Sequence, residues 1–376
     1  MSDSYRTIPT NARSQPTPFT ISLPDDTLAE IHQLLKLSKI GPVTYEGLQG
    51  DRKYGIIQKW LTNAKVRRAV ETHLNSFPHW KISVQYAKEQ FQMRFTGLFS
   101  EKKDAILILM LHGWPGSFLE FLPIMSILMN GYSPATLPYH IIVPSLPEYA
   151  FSSLPPLNRD FRIEDIAAVV NMLIVDLELG SGYVAQGGDI GGKVSRVLGA
   201  EHPDAAPVNF CIMPEPEGIS PGSVNGLGKK GLLQANKFHR IGSAYALEHA
   251  TRPSTIGLKF LDWTDEDPPL DTILEAVTLY RLTETFLRSI YPYRQLFTPG
   301  NIGAHENPVW HIKKPLGFSW FPCEIAPIPK AWVATTGNLV FYRQHEKGGH
   351  FAAVEQPEVL LDDVAAFIDQ VWKVAQ

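Results

Sequence analysis

The stretch Gln186-Gly187-Gly188-Asp189-Ile190-Gly191-Gly192 decides how this chain is read. A short apolar run, Tyr183–Gln186, precedes it, and a helical pattern follows it to Glu201. Small residues two places before and two after a central residue permit a tight strand-to-helix turn. Such a turn strains the backbone at its centre and lifts the central side chain clear. Here that residue is Asp189. A plainer account also fits, in which Asp189 caps a helix or the glycines cradle a phosphate. A phosphate loop would carry a Lys-Ser or Lys-Thr pair, whereas Lys193 is followed by Val194.

Outward from this turn the chain alternates. Ala105–Leu111 is a continuous apolar run ending at His112-Gly113, Tyr139–Val143 ends at Pro144, and Pro207–Met213 is a further run. Helical stretches over Phe118–Met129, Ile163–Leu177 and Gly191–Glu201 lie between them. Apolar strands alternating with helices predict a parallel sheet covered on both faces. The Gly-rich turns then sit at the carboxyl ends of the strands, where open α/β sheets bind ligands. From about Pro214 the alternation stops, and residues 225–295 read as helices without a strand run. Strands return at Leu316–Phe321 and Asn338–Tyr342, and residues 357–375 form a closing amphipathic helix.

The expected class is therefore α/β: a mostly parallel core with a helical cap inserted before its last two strands. The expected division is a flexible arm at 1–17, an N-terminal extension at 18–100 packing on core and cap, a core at 101–213 and 296–376, and a cap at 214–295. Within the extension, Asp25 or Asp26 can cap a helix in which Leu28, Ile31, Leu34 and Leu35 share a face. Residues 82–86 and 91–96 alternate as a strand meander does.

Composition narrows the class of function. A chain of 376 residues with 44% apolar content needs no disulfide or metal to build a core. Its net charge of −4 argues against nucleic-acid binding, which rests on clustered Lys and Arg. The longest apolar run is the seven residues Ala105–Leu111. A spanning helix needs roughly twenty, so no integral membrane segment is expected. Residues 1–15 lack the apolar core of a signal peptide. Cys211 and Cys323 have no paired spacing, so neither a disulfide framework nor a zinc site is expected. The expected compartment is the reducing cytosol.

Three further motifs carry chemistry. His112-Gly113-Trp114-Pro115-Gly116-Ser117 follows the 105–111 strand, where this kind of fold donates an N–H to an oxyanion. Pro115 has no N–H, which leaves Trp114 and its neighbours as donors. His112 at a strand end is read as ordering the loop. Gly348-Gly349-His350-Phe351 follows the last strand, where the base of such a triad lies. The acid should fall between nucleophile and base, and Glu324 is the one carboxylate between Asn307 and His345. A Gly-x-Ser-x-Gly also exists at 218–222, but no helix directly follows it and Pro221 cannot donate the N–H required after a nucleophile. It is read as a loop.

A carboxylate nucleophile attacks an electrophilic sp³ carbon and leaves an ester. His350, oriented by Glu324, would activate water to hydrolyse that ester. The N–H groups of Trp114 and Ile190 would hold the oxyanion. Epoxides and alkyl halides carry such a carbon. An epoxide also needs a proton donor, and Tyr245, Tyr280, Tyr291 and Tyr293 lie in the cap or at its end.

Together these residues resemble the microsomal-type epoxide hydrolases, most closely their soluble fungal members. The resemblance runs from about Pro18 to Trp372 and includes Trp80, His112–Phe121, Val143–Ser153, Gly187–Gly191 and Gly348–Glu355. It implies an α/β-hydrolase core, with Asp189 as nucleophile, His350 as base and Glu324 as acid. It also implies Tyr245 and Tyr293 as ring-opening donors, Trp114 and Ile190 as oxyanion donors, and a cis peptide before Pro115. No cofactor or metal is implied, and the membrane-anchor helix of some relatives is absent. Trp114, Phe151, Phe210 and Phe351 are candidates for the wall of a cavity for a small apolar epoxide. Relatives are often dimers, which leaves a homodimer open. One departure stands out: Gly257 runs almost directly into Lys259-Phe260-Leu261-Asp262-Trp263, where relatives carry further apolar helical turns that help wall the cavity. The rival readings are a dehalogenase, which the tyrosine pair disfavours, an epoxide-opening cyclase of secondary metabolism, and a binding protein on a decayed hydrolase fold.

Overall fold

The computed structural model describes residues 5–8, 12–37, 66–179, 181–208, 216, 218–219, 224–246, 269–296 and 308–372. Nine strands among them form one sheet: β1 (Thr17–Pro18), β2 (His79–Tyr86), β3 (Glu89–Leu98), β4 (Ile106–Leu111), β5 (Tyr139–Pro144), β6 (Tyr183–Gly187), β7 (Ala205–Val208), β8 (Ile312–Trp320) and β9 (Gly337–Gln344). Their order is β1-β2-β3-β5-β4-β6-β7-β8-β9. From β5 to β9 every neighbouring pair is parallel, whereas β1, β2 and β3 join as an antiparallel edge.

The main helices are α1 (Asp25–Leu37), α2 (Val66–Leu74), α3 (Leu122–Gly131), α4 (Ile163–Leu177), α5 (Asp189–Glu201), α6 (Gly226–Lys237), α7 (Leu270–Leu282), α8 (Thr285–Ser289), α9 (Pro292–Leu296) and α10 (Pro357–Val371). The pleat of β4 explains why its sequence is apolar throughout. Leu107, Leu109 and Leu111 enter a core that includes Ile166, Val170 and Leu173 of α4 and Val194 and Val197 of α5. Ile108 and Met110 point the other way, toward Met125 and Leu128 of α3 and Val364 and Phe367 of α10. Both faces are thus covered, as a parallel sheet requires.

Several boundaries differ from the sequence reading. The 118–129 stretch begins as a 3-10 turn, Phe118–Phe121, before α3; Ser117 caps it by accepting the Leu119 N–H at 3.3 Å. Of the Pro207–Met213 run, only its first two residues fall in β7, which starts earlier at Ala205; residues 209–215 lie outside the described part. The described part of the expected flexible arm is anchored at several points. Tyr5 is 3% exposed and its hydroxyl donates to the Tyr132 carbonyl. Arg13 pairs with Glu178, and Thr17 pairs with Lys81 across the β1–β2 edge. Burial of an aromatic ring and a place in the sheet hold this segment despite its polar composition. In the cap, α6 runs into a π-helical turn, Phe238–Gly242, and no strand lies among its described residues.

Candidate active site

β6 ends at Gly187 and α5 begins at Asp189. Turning within so few residues places Asp189 at φ +51°, a left-handed conformation that costs an L residue about 1–3 kcal/mol. The flanking glycines are a steric requirement. A Cβ on Gly187 would lie 2.4 Å from the Gly191 backbone, and one on Gly191 would lie 2.0 Å from the Leu111 carbonyl oxygen. The start of α5 is thereby pressed onto the end of β4, which brings Asp189 to the His112–Ser117 loop. A Cβ on Gly113 would in turn meet the Asp189 Cβ at 2.5 Å.

In this arrangement the Trp114 N–H donates to Asp189 Oδ1 at 2.8 Å, and the Ile190 N–H also bonds the carboxylate. The Trp114–Pro115 peptide is cis. His112 is fully buried. Its Nε2 accepts the Leu146 N–H at 3.1 Å, so Nδ1 carries the proton and donates to the Gly113 carbonyl at 3.0 Å. Burial pushes this imidazole down to about 4, so it stays neutral and orders the loop.

The loops after β8 and β9 are zipped together. Cys323 and Gly349 form a parallel bridge, and the Cys323 N–H donates to the Gly348 carbonyl at 3.0 Å. Glu324 and His350 are thereby brought side by side, with His350 Nδ1 2.5 Å from Glu324 Oε1. The same Oε1 also accepts the Ile325 N–H at 2.7 Å. His350 Nε2 faces Asp189 Oδ2 at 3.5 Å.

The charges follow from these contacts. Burial alone would raise the Asp189 carboxyl, but the hydrogen bond and charge of His350 and the N–H groups of Trp114 and Ile190 outweigh it and hold it below the usual range. Burial alone would lower His350, but the charge of Glu324 and the bonds to Asp189 and Glu324 hold it well above the usual imidazole value. The resting site is an imidazolium between two carboxylates.

Above it stand Tyr245 and Tyr293. Their rings lie 6.1 Å apart, and both pack on Trp114, Tyr245 nearly parallel at 5.9 Å and Tyr293 edge-on at 5.4 Å. Burial, then Tyr245 and Asp189, pushes the Tyr293 phenol well above its usual value, so it remains a donor. The other two candidate tyrosines are elsewhere. Tyr280 donates to the Gly116 carbonyl at 2.7 Å, and Tyr291 is exposed. The cap also fixes Trp114 itself, whose Nε1 donates to Ser289 Oγ at 3.1 Å.

Of the expected wall residues, Trp114 packs against both tyrosines, and Phe351 packs edge-on against His350 and belongs to the group around Tyr245. Phe151 is placed by a different contact. Its ring contact is Phe19 of the N-terminal extension, at 5.5 Å, because the loop after β5 packs toward that segment. Phe210 and the shortened stretch after Gly257 lie outside the described residues. Phe286 and Phe238, whose rings reach Trp114 and Tyr245, were not anticipated.

Neither was Glu120. Ser117-x-x-Glu120 reads as a capping box in which Glu120 would reach back to its own helix. Instead its Oε1 accepts the Gly113 N–H at 3.2 Å, beside Asp189. Among the described residues no cluster of His, Cys, Asp and Glu is arranged for a metal, and no helix is long and apolar enough to cross a membrane.

Known proteins share this architecture. The family model "Epoxide hydrolase N terminus" matches residues 16–121, and "alpha/beta hydrolase fold" matches 106–259. The solved epoxide hydrolase of Aspergillus niger superposes with a TM-score of 0.90 at 44% identity, covering 98% of this chain and 100% of that one. A putative epoxide hydrolase of Dothistroma septosporum is 40% identical over 98% of this chain and 93% of its own length. Rabbit (Oryctolagus cuniculus) epoxide hydrolase 1 is 26% identical over 94% of this chain and 89% of its own. With an elbow aspartate, a His–Glu pair and two cap tyrosines gathered at one end of the sheet, the chain belongs to the microsomal-type epoxide hydrolase family on the α/β-hydrolase fold.

Proposed function

We propose that this enzyme opens an apolar epoxide to a vicinal diol in two steps, through an ester on Asp189. The supporting observation is the disposition of one carboxylate: Oδ1 sits on the Trp114 N–H, and Oδ2 faces His350. In the first step Oδ2 attacks a ring carbon, and the ring C–O pair moves onto the epoxide oxygen. Tyr245 and Tyr293 supply the proton that this oxygen takes up. Solvent returns a proton from the His350 imidazolium to the phenolate.

The two steps ask opposite things of His350, and ester formation supplies the change. The resting imidazolium keeps Asp189 ionised as a nucleophile. Esterification removes the Asp189 charge, one of the interactions that hold the imidazole high. Oriented by Glu324, the neutral ring then takes a proton from water as the water attacks Cγ. The oxyanion forms on the oxygen already seated on the Trp114 N–H, with the Ile190 N–H at the same carboxyl, so the donors are in place beforehand. Collapse expels the diol, which takes its proton from His350. The Asp189 carboxylic acid left by collapse then passes its proton to His350, so epoxide plus water gives diol and every group returns to its starting state.

The faces of Trp114, Phe286, Phe238 and Phe351 near the tyrosines support an apolar substrate. Two cysteines without paired spacing support a cytosolic location. The test is mass spectrometry after mixing His350→Gln with styrene oxide, used as a simple aryl probe. A substrate-mass adduct on Asp189 is expected to accumulate. Absence of the adduct, with wild type turning over the same epoxide, would contradict the assignment.

A further inference from the structure

A small cavity of about 20 Å³ lies beside the triad, with Glu120, Gln186, Gly188, Glu324 and His350 among its walls. One water needs roughly 10–15 Å³ and two to four polar partners. The walls provide them. Gln186 is 3% exposed, and its Oε1 has no hydrogen-bond partner among the described residues. Glu120 spends one oxygen on the Gly113 N–H and keeps the other for a further partner. Gly116 makes room for this carboxyl, since a Cβ there would lie 1.4 Å from Glu120 Oε1. Gln186 comes from β6, Glu120 from the turn before α3 and His350 from the loop after β9, so three separate elements converge on the space.

We propose that this cavity stores the water that hydrolyses the Asp189 ester, held by Glu120 and Gln186 beside His350, with Glu120 as a positioning residue for the second step. The inference rests on the two-step reading above. The balance is that of ester hydrolysis. The water O–H breaks toward His350 Nε2, a bond forms from water oxygen to Asp189 Cγ, and Glu120 neither gains nor loses a proton.

The electrostatics agree with this role. Burial, opposed by the Gly113 N–H and reinforced by the Asp189 charge, pushes the Glu120 carboxyl up to about 8. At neutral pH it is an uncharged acid with one donor and a free acceptor, suited to orienting water. The groups facing it are Asp189 and His350, Glu324 across the cavity, and the buried phenols of Tyr280 and Tyr149. Ionised, Glu120 would add a second carboxylate, besides Glu324, near the forming oxyanion. Hydrolysis should therefore weaken in alkaline solution as the Glu120 carboxyl ionises, while ester formation should not.

Stopped-flow and quenched-flow measurements with styrene oxide separate the two steps. Glu120→Leu keeps the bulk and loses the polarity; it should form the ester within about threefold of the wild-type rate and hydrolyse it roughly 10- to 100-fold more slowly. Glu120→Gln should restore hydrolysis to within about fivefold and abolish its alkaline decline, because an amide does not ionise. Equal loss of both steps in both variants would assign Glu120 to supporting the Gly113 loop and overturn the proposal; so would wild-type hydrolysis in Glu120→Leu. An ester that never forms on wild-type Asp189 would refute the two-step reading instead. A high-resolution crystal structure of the substrate-free protein gives a readout independent of turnover. One water bonded to Glu120 and Gln186 is expected, and a collapsed or empty cavity would overturn the proposal.

Discussion

The imidazolium of His350 holds the resting site together, because two carboxylates this close would otherwise repel. Its raised value and the lowered value of Asp189 make one prediction about pH. Ester formation needs ionised Asp189, so it should persist to pH values below the usual carboxylate range and fall only as that group protonates. Hydrolysis needs neutral His350, so it should fall at a higher pH than ester formation does when the solution is made acid. Separate pH profiles for the two steps check this, and coincident acid limbs would contradict it. Glu324→Gln should slow hydrolysis less than His350→Gln, because it orients the base without touching water. Either Tyr245→Phe or Tyr293→Phe should slow ester formation by about tenfold to a thousandfold, each removing one donor to the developing alkoxide. Hydrolysis of an ester already formed should be spared. Transient kinetics on the single and double variants read both steps.

At the scale of elements, the catalytic groups are set by how helices and loops are pinned. α5 carries Asp189 at its start, and Arg196, two turns on, fastens it to the segments that lead into β8 and β9. The Arg196 guanidinium is buried and donates to the carbonyls of Trp310 and Thr336 at 2.8 and 2.9 Å and to Thr336 Oγ1 at 2.9 Å. A lysine cannot reproduce that fork. Arg196→Lys should lower stability by about 2–3 kcal/mol, since it leaves buried acceptors unmet. Urea unfolding would show it, and an unchanged midpoint would contradict it. The cap is tied to the His112–Ser117 loop by the Tyr280–Gly116 and Trp114–Ser289 bonds. Loosening that tie in Tyr280→Phe should slow both chemical steps together by a few-fold, in contrast to the selective effect expected of the two ring-opening tyrosines. Most of this level was legible in the sequence. The continuous apolar runs of β4, β5 and β6 announce strands buried on both faces, and Gly187 and Gly191 announce the turn between them. Glu324 as the carboxylate beside His350 could be read by elimination, because no other carboxylate lies between Asn307 and His345. Glu120 could not. Its local pattern describes a helix cap, and only the return of the turn onto Gly113 converts it into a neighbour of Asp189.

At the scale of the molecule, the described strands of the N-terminal extension continue the central sheet. β2 and β3 continue the sheet through the β3–β5 pairing, and Trp80 is wholly buried beneath them. Tyr5 reaches across to α3 and the loop after it. Tyr5→Ala should destabilise the protein by about 2–4 kcal/mol, as loss of a buried ring does. A flexible arm would tolerate the change within about 0.5 kcal/mol. Thermal or urea unfolding of the variant separates the two. The polar composition of residues 1–17 concealed this packing, because one buried ring and one bridge at the sheet edge leave no periodic pattern to read. The contact of Phe151 with Phe19 was hidden for a related reason: the two are remote in sequence, and composition says nothing of which apolar side chains meet.

The central claim is that the Asp189 carboxylate, and not water, makes the first new bond to the substrate. A single turnover with enzyme in excess, run in ¹⁸O-water with styrene oxide, tests it. The account predicts an unlabelled diol and heavy oxygen in the Asp189 carboxylate, since water attacks Cγ of the ester and the diol departs with an oxygen from the enzyme. Heavy oxygen in the first-turnover diol, with none in Asp189, would contradict it.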